Sequence, residues 1–439
     1  MISKFIALIS AFLIIESSFS QAIDKAKLDS YFQALESNNK FMGSVAILKD
    51  GQIIYTNAIG YADIESKTKP NENTKYRIGS ISKTFTTVLI LKAVEEKKLE
   101  LDKTIDKYFP AIKFANKITV SQLLYHRSGI HNFTASEDYS KWQAEKKSQQ
   151  EMVDIIAKAG SDFMPDSTAS YSNSNFVLLS YILADIYKKP YSQLLYEKIV
   201  KPLGLKNTYF GDKIDLGKNE CNSYKFATDW TKETETDMSI PMGAGGIVST
   251  PTDLTIFANA LFSEKLIAKK SIDQMTTLKD RYGMGIFQIP FADKKGYGHT
   301  GGIDGFSSVF SFFPDDKIGY ALTCNGSNYE NNNISIAVLS MVYNKPFTLP
   351  DFKTYKVSVE ELESYAGMYS SLQMPLKITI TRDENALMAQ ATGQSAFPLE
   401  ATEKGKFKFA AAGIVLEFNP AKKEMILKQG GGVYTFTKE

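Results

Sequence analysis

Arg77-Ile-Gly-Ser-Ile-Ser-Lys-Thr-Phe-Thr-Thr-Val-Leu-Ile-Leu91 decides how this chain is read. From Ser80 to about Val94 the segment is apolar on nearly every face, and a helix greasy all round belongs inside a sizeable domain. Ser80 follows Gly79 and opens that helix, with Lys83 three residues on. Two side chains at this spacing share a helix face, and the helix N-terminus lays positive potential on the hydroxyl. A lysine in apolar surroundings is either paired or loses its proton. As a neutral amine it can turn a weak hydroxyl into a nucleophile without a histidine. Ser-x-x-Lys also occurs at Ser37/Lys40 and Ser66/Lys69, so the spacing alone carries little. Ser37 lies at a polar helix end and Ser66 in a charged loop; context singles out Ser80. The bland reading is a structural Ser-Lys pair at a helix start.

Two further clusters stand beside it. Tyr171-Ser-Asn173 follows a loop rich in Pro, Asp and Ser and precedes an amphipathic helix (Phe176, Leu179, Leu183, Ile186). A phenol near a lysine can shuttle a proton and an amide can grip a substrate carbonyl, although alone this is an ordinary helix cap. Gly298-His-Thr-Gly-Gly302 lies between strand-like runs at 282–289 and 303–313. Its glycines let a substrate backbone come close and leave amide donors open, although alone it reads as a turn.

Around these clusters the chain reads as strands at both ends enclosing a helix-rich middle. Residues 24–38 form a surface helix, and Asp50-Gly51 turns a hairpin between 44–48 and 53–55. Helices are expected at 119–125, 173–188, 251–262 and 333–343, with a further strand at 317–324. Thr250 caps the third of these helices, with Pro251 in its first turn. Residues 346–357 read as a linker, and Ser358 with Glu361 as a capping box. The remainder alternates with period two (Leu376–Ile380, Phe407–Phe409, Val415–Phe418, Met425–Leu427, Val433–Phe436), which predicts a small all-β barrel or sandwich.

The chain has 439 residues, 43% of them hydrophobic, with 51 basic against 49 acidic side chains. A net charge of +2 gives no field that favours nucleic acid. Three histidines (His126, His131, His299) and two cysteines (Cys221, Cys324) match no metal-ligand spacing, so neither metal nor cofactor is expected. Lys4, an apolar run from Phe5 to Ile15 and small residues up to Ser20 describe a secretory signal over residues 1–20. Eleven apolar residues fall well short of the ~20 that span a bilayer. The mature protein is therefore expected without a transmembrane segment, exported to the periplasm or secreted. Cys221 and Cys324 pair there or stay as buried thiols.

In order, Arg77-Ile-Gly-Ser-Ile-Ser-Lys-Thr84, Leu123-Leu-Tyr-His-Arg-Ser-Gly129, Tyr171-Ser-Asn-Ser-Asn175, Pro202-Leu-Gly-Leu205, Ala244-Gly-Gly-Ile-Val-Ser-Thr250 and Gly298-His-Thr-Gly-Gly302 resemble the serine β-lactamase and penicillin-binding-protein superfamily. The similarity is greatest to the branch of class C β-lactamases, D-alanyl-D-alanine carboxypeptidases and esterases, and covers residues 25–345. It implies an α+β sandwich, an antiparallel sheet flanked by helices with an all-helical insert. The tail resembles a small lipocalin-like β-domain. The domains expected are thus a hydrolase domain at 21–345, the linker, and a barrel at 358–439. The resemblance further implies that Ser80 is acylated while Lys83 and Tyr171 exchange its proton. Asn173, His299 and Thr300 would meet the substrate, and the amides of Ser80 and Gly302 would form the oxyanion hole. Relatives that are β-lactamases generally carry lysine where His299 stands, which points towards a peptidase or esterase. A neutral imidazole that charges near pH 6 would then favour carboxylate-bearing substrates as the pH falls. Pro165-Asp166 departs from a common Pro-Gly. The expected activity is an exported serine hydrolase acting on a D-amino-acid peptide, a small ester or a β-lactam. A catalytically silent protein that binds wall fragments is the rival. Oligomeric state is not legible.

Overall fold

The computed structural model describes residues 23–350, 352, 355–383, 386–394, 396–409 and 412–439; the expected signal at 1–20 lies outside them. The main sheet has six antiparallel strands in the order Gln52–Ile59, Phe41–Lys49, Ile318–Ser327, Phe306–Phe313, Tyr297–Ile303, Phe287–Gln288. The first hairpin therefore pairs with the end of the domain, which closes the helical middle into a loop between them. Asp50 and Gly51 both take positive φ (50° and 79°), as a tight hairpin turn requires. Phe41–Lys49 and Ile318–Ser327 are buried almost throughout because both faces of the sheet are covered. Lys25–Ser37 and Asn331–Val342 cover one face, packing on Val45, Ile47, Tyr320 and Leu322. Ser82–Glu95, Asn173–Tyr187 and Pro251–Phe262 cover the other, with Leu48, Phe310, Phe312 and Ala321 beneath them.

The central helix begins at Ser82, two residues later than its sequence suggests. Gly79–Ile81 forms a 3₁₀ turn that carries Ser80 at its middle. Gly79 adopts φ +50°, and a Cβ there would sit 2.7 Å from the amide nitrogen of Gly302, so only glycine permits this approach. Within the helix Phe85 stacks on Phe257 at 3.7 Å between ring centres. Two of its three buried threonines donate to carbonyls, Thr84 to Gly285 and Thr86 to Gly243, both at 2.7 Å. Thr250 caps the Pro251–Phe262 helix by accepting from the Asp253 amide.

Two expectations need correction. Of 282–289 only Phe287–Gln288 is strand, because Gly285 turns at φ +60° to pack its Cα against the Lys83 carbonyl and Thr87. Residues 298–302 are no turn but the body of the strand Tyr297–Ile303. The glycines serve close packing: a Cβ on Gly298 would lie 1.9 Å from the Phe310 carbonyl, and one on Gly301 2.0 Å from that of Ile78.

The C-terminal segment is a closed eight-stranded antiparallel barrel running from Gly367–Ser370 to Gly432–Lys438, opened by the capped helix Val359–Tyr365. Its interior is filled by Tyr369, Ile380, Leu387, Phe407, Leu416, Met425 and Phe436. The expected linker is less free than its composition suggests. Phe347 meets Tyr31 edge-on and Phe352 meets Tyr329, both on the core of the first domain. Cys221 and Cys324 are free, buried thiols. Among the described residues no helix is long and apolar enough to cross a membrane.

Candidate active site

Lys83 is wholly buried and its Nζ has three neighbours: Ser80 Oγ at 2.9 Å, Asn173 Oδ1 at 2.8 Å and the Ala244 carbonyl at 2.7 Å. The last two only accept. Burial holds the lysine well below its ordinary value, favouring the neutral amine. A neutral amine has two N–H groups and one lone pair. With both hydrogens given to Asn173 and Ala244, the lone pair faces Ser80, whose hydroxyl is the one neighbour able to donate. The arrangement can take a proton from Ser80, and it uses no carboxylate to do so.

Tyr171 closes the other side. Its hydroxyl is hydrogen-bonded to Ser80, and burial pushes its pKa up, so the phenol keeps its proton. The lysine nitrogen lies 4.8 Å from the centre of its ring. His126, to which the sequence assigned no part, backs this tyrosine. Its ring packs 4.5 Å from the Tyr171 ring, and its Nδ1 accepts from the Ser172 amide at 3.2 Å. Burial lowers the pKa of His126 and holds it neutral. Asn173 begins its helix with its amide donating to Asn132 Oδ1 and its Nδ2 to Thr134 Oγ1, each at 3.0 Å. Nothing in the sequence around Asn132 or Thr134 signals these contacts.

The cleft over Ser80 has a volume of about 190 Å³ and is lined by Asn173, Gly302 and Ile303 and by an aromatic wall that includes Phe133 and Tyr139. Gly302 is exposed, and the strand Phe287–Gln288 ends its pairing at Gly298, leaving the edge beyond it open. His299 and Thr300 do not line this cleft. His299 is 2% exposed, packed between Tyr171 and Phe287, and burial beside Lys83 lowers its pKa to about 3. An imidazole so placed does not charge near pH 6, which corrects the expected pH switch. Thr300, alternating to the opposite face, borders a separate small cavity with Val309, Leu322 and Asn331. Asp166, the departure from Pro-Gly, takes φ +68° and binds Arg127 Nε at 2.6 Å. Arg127 also reaches Asp280, tying two loops together beside the site.

A serine on a turn before a buried helix, a lysine one turn on and a tyrosine opposite make the arrangement of a serine hydrolase. The chain belongs to the Beta-lactamase family, whose model matches residues 28–339. It is 29% identical over 332 residues to a teichoic acid D-alanine hydrolase of Staphylococcus aureus (strain NCTC 8325 / PS 47), spanning 73% of this chain and 79% of that protein. D-amino acid amidase from Ochrobactrum anthropi SV3 superposes with a TM-score of 0.63 at 26% identity, over 72% of this chain and 99% of that one. An octameric penicillin-binding protein homologue from Pyrococcus abyssi shares the fold with a TM-score of 0.67 at 24% identity, over 94% of this chain and all of that one.

Proposed function

We propose that the protein is an exported hydrolase of D-aminoacyl esters or amides that works through an acyl-enzyme on Ser80. Neutral Lys83 takes the hydroxyl proton as Ser80 Oγ attacks the substrate carbonyl carbon. The amides of Ser80 and Gly302 stabilise the oxyanion that forms, generally a large catalytic contribution. Tyr171, protonated and bonded to Ser80, relays a proton to the departing alcohol or amine while Asn173 holds the acyl portion. Water then attacks the acyl carbon, and Ser80 recovers its proton. The proposed division of the chain is a signal at 1–20, a hydrolase domain at 21–345, a connecting segment at 346–357 and a barrel at 358–439.

The observation that carries the choice of substrate is the charge of the cleft. Its described lining has no basic side chain, its one acidic residue, Asp304, is buried in an ion pair with Arg77, and the histidine that stands where β-lactamases carry lysine is buried and neutral. A substrate with a free carboxylate beside the scissile bond finds no cation here, whereas an aminoacyl ester or amide needs none. The names of the two relatives, a D-alanine hydrolase and a D-amino acid amidase, support the same class. The test is turnover of a D-alanyl ester, a D-amino-acid amide, a D-alanyl-D-alanine peptide and a cephalosporin, with mass spectrometry of the acylated protein. Expected are turnover of the first two above the others and one adduct, on the peptide carrying Ser80. Preference for the cephalosporin overturns the substrate class. An adduct on another residue, or none with any probe, overturns the mechanism.

A further inference from the structure

Arg77 lies three residues before Ser80 with 2% of its side chain exposed, and its terminal nitrogens hold four acceptors. Nη1 donates to the Thr236 carbonyl at 2.9 Å and to Asp304 Oδ2 at 2.8 Å. Nη2 donates to the Asp212 carbonyl at 3.0 Å and to Glu235 Oε2 at 2.9 Å. The Asp304 side chain, also 2% exposed, uses its other oxygen to accept from the Thr236 amide at 3.0 Å and hydroxyl at 2.7 Å. Asp304 comes two residues after Gly302, and Thr236 stands on the cleft wall. One guanidinium thus joins the segment that enters the nucleophile, the turn that leaves the edge strand, and the wall of the cleft.

The backbone between these points has no slack. Gly79 lies against Gly302, Gly301 against the Ile78 carbonyl, and Ser308 Oγ donates to that same carbonyl at 2.9 Å. Any shift of Arg77 relative to Asp304 therefore moves Ser80 relative to Gly302. A buried ion pair is a poor source of net stability, since desolvating both charges offsets most of their attraction. A planar fork with several fixed partners is, however, a good source of position.

We propose that the Arg77–Asp304 pair, braced by Glu235 and Thr236, is a positioning device that sets the spacing of the two amides facing the oxyanion. This rests on the acyl-enzyme reading. Arg77 and Asp304 act through those amides and take no part in proton transfer, so they are positioning residues. The stake is considerable, because losing one oxyanion donor costs about 10²- to 10³-fold in rate and a misplacement of ~1 Å about 10²-fold.

The test is the acylation rate of Asp304→Asn and Arg77→Met with a chromogenic ester, counted per titratable Ser80, with KM and the affinity for a small boronic acid that forms a tetrahedral adduct. Counting sites separates a slower site from fewer folded molecules. Expected is a fall of roughly 10- to 100-fold per site, KM within about threefold, and boronate affinity falling in step with the rate. Arg77→Lys is expected not to rescue, because a point charge cannot span the four acceptors. Wild-type rate per site in the variants, or a raised KM at unchanged kcat, overturns the proposal. Should Arg77→Met fail to fold, Asp304→Asn, which keeps shape and volume, decides; Glu235→Gln, at a partly exposed arm of the same fork, is expected to give a smaller loss in the same direction. A wild-type protein that forms no adduct on Ser80 overturns the mechanism itself, an outcome distinct from variants that acylate as fast as the wild type.

Discussion

Lys83 is the residue whose chemistry and stability pull in opposite directions. Enclosed without a carboxylate partner, it is held by burial well below its ordinary value, while the same lysine in the unfolded chain keeps the ordinary 10.5. Between the lowered folded value and 10.5 the unfolded state binds more protons than the folded one, so this group makes stability rise with pH. The penalty is therefore largest at low pH and disappears as the pH approaches 10.5. Lys83→Met removes the titrating group with little change in volume and is expected to abolish turnover. Measured by denaturant unfolding from pH 7 to 10, its stability relative to wild type should improve as the pH falls. The slope is bounded by roughly 1.4 kcal/mol per pH unit for one proton. A difference between the two proteins that does not change with pH would mean that Lys83 is charged in the folded state and is no base at rest.

At the scale of elements, what the sequence disclosed and what it hid separate by physical cause. The buried helix, the Asp50-Gly51 hairpin, the Thr250 cap and the Ser358 capping box were legible because each is a local pattern of a few neighbouring residues. Ser80, Lys83, Tyr171, Asn173 and Gly302 were legible as three clusters, and the fold brings them together around one cleft. The strand Tyr297–Ile303 was hidden because its four-residue core of Gly298, Thr300, Gly301 and Gly302 around one histidine has the composition of a turn. Its straightness is dictated by distant carbonyls at Phe310 and Ile78, which no local reading contains. The burial of His299 was hidden for the same reason. This strand supplies the next prediction. In Gly301→Ala the new methyl meets the Ile78 carbonyl and must push the edge strand off the turn that carries Ser80. Overpacking of this kind commonly costs about 1–3 kcal/mol. Acylation per titratable site is expected to fall by about 10²-fold, for the same reason that ~1 Å of misplacement does. Retention of the wild-type rate would show that the edge strand adapts without moving Gly302.

For the molecule as a whole, the question is what the barrel contributes. The described residues that line the cleft end at Asp304, and none of them belongs to the barrel. Between the first domain and the barrel, Lys40 Nζ lies 3.2 Å from Glu400 Oε1, and from the connecting segment the Tyr355 amide donates to the Ala401 carbonyl at 3.1 Å. Chemistry should therefore survive removal of the barrel, but the place of the cut matters. Phe347 and Phe352 pack on Tyr31 and Tyr329, and Phe352 is only 7% exposed. A chain ending at Lys356 keeps both rings, whereas one ending at Lys345 opens that core to water. Truncating a buried phenylalanine costs about 3–5 kcal/mol, which in a domain this large amounts to a Tm lower by several degrees. The chain ending at Lys356 is expected to acylate Ser80 at the rate of the full protein per titratable site. The shorter chain should acylate at that same rate while melting earlier. A folded Lys356 chain that takes no acyl group would show that the barrel completes the site, and equal Tm values for the two truncations would show that the segment 346–356 is a tether and no part of the core.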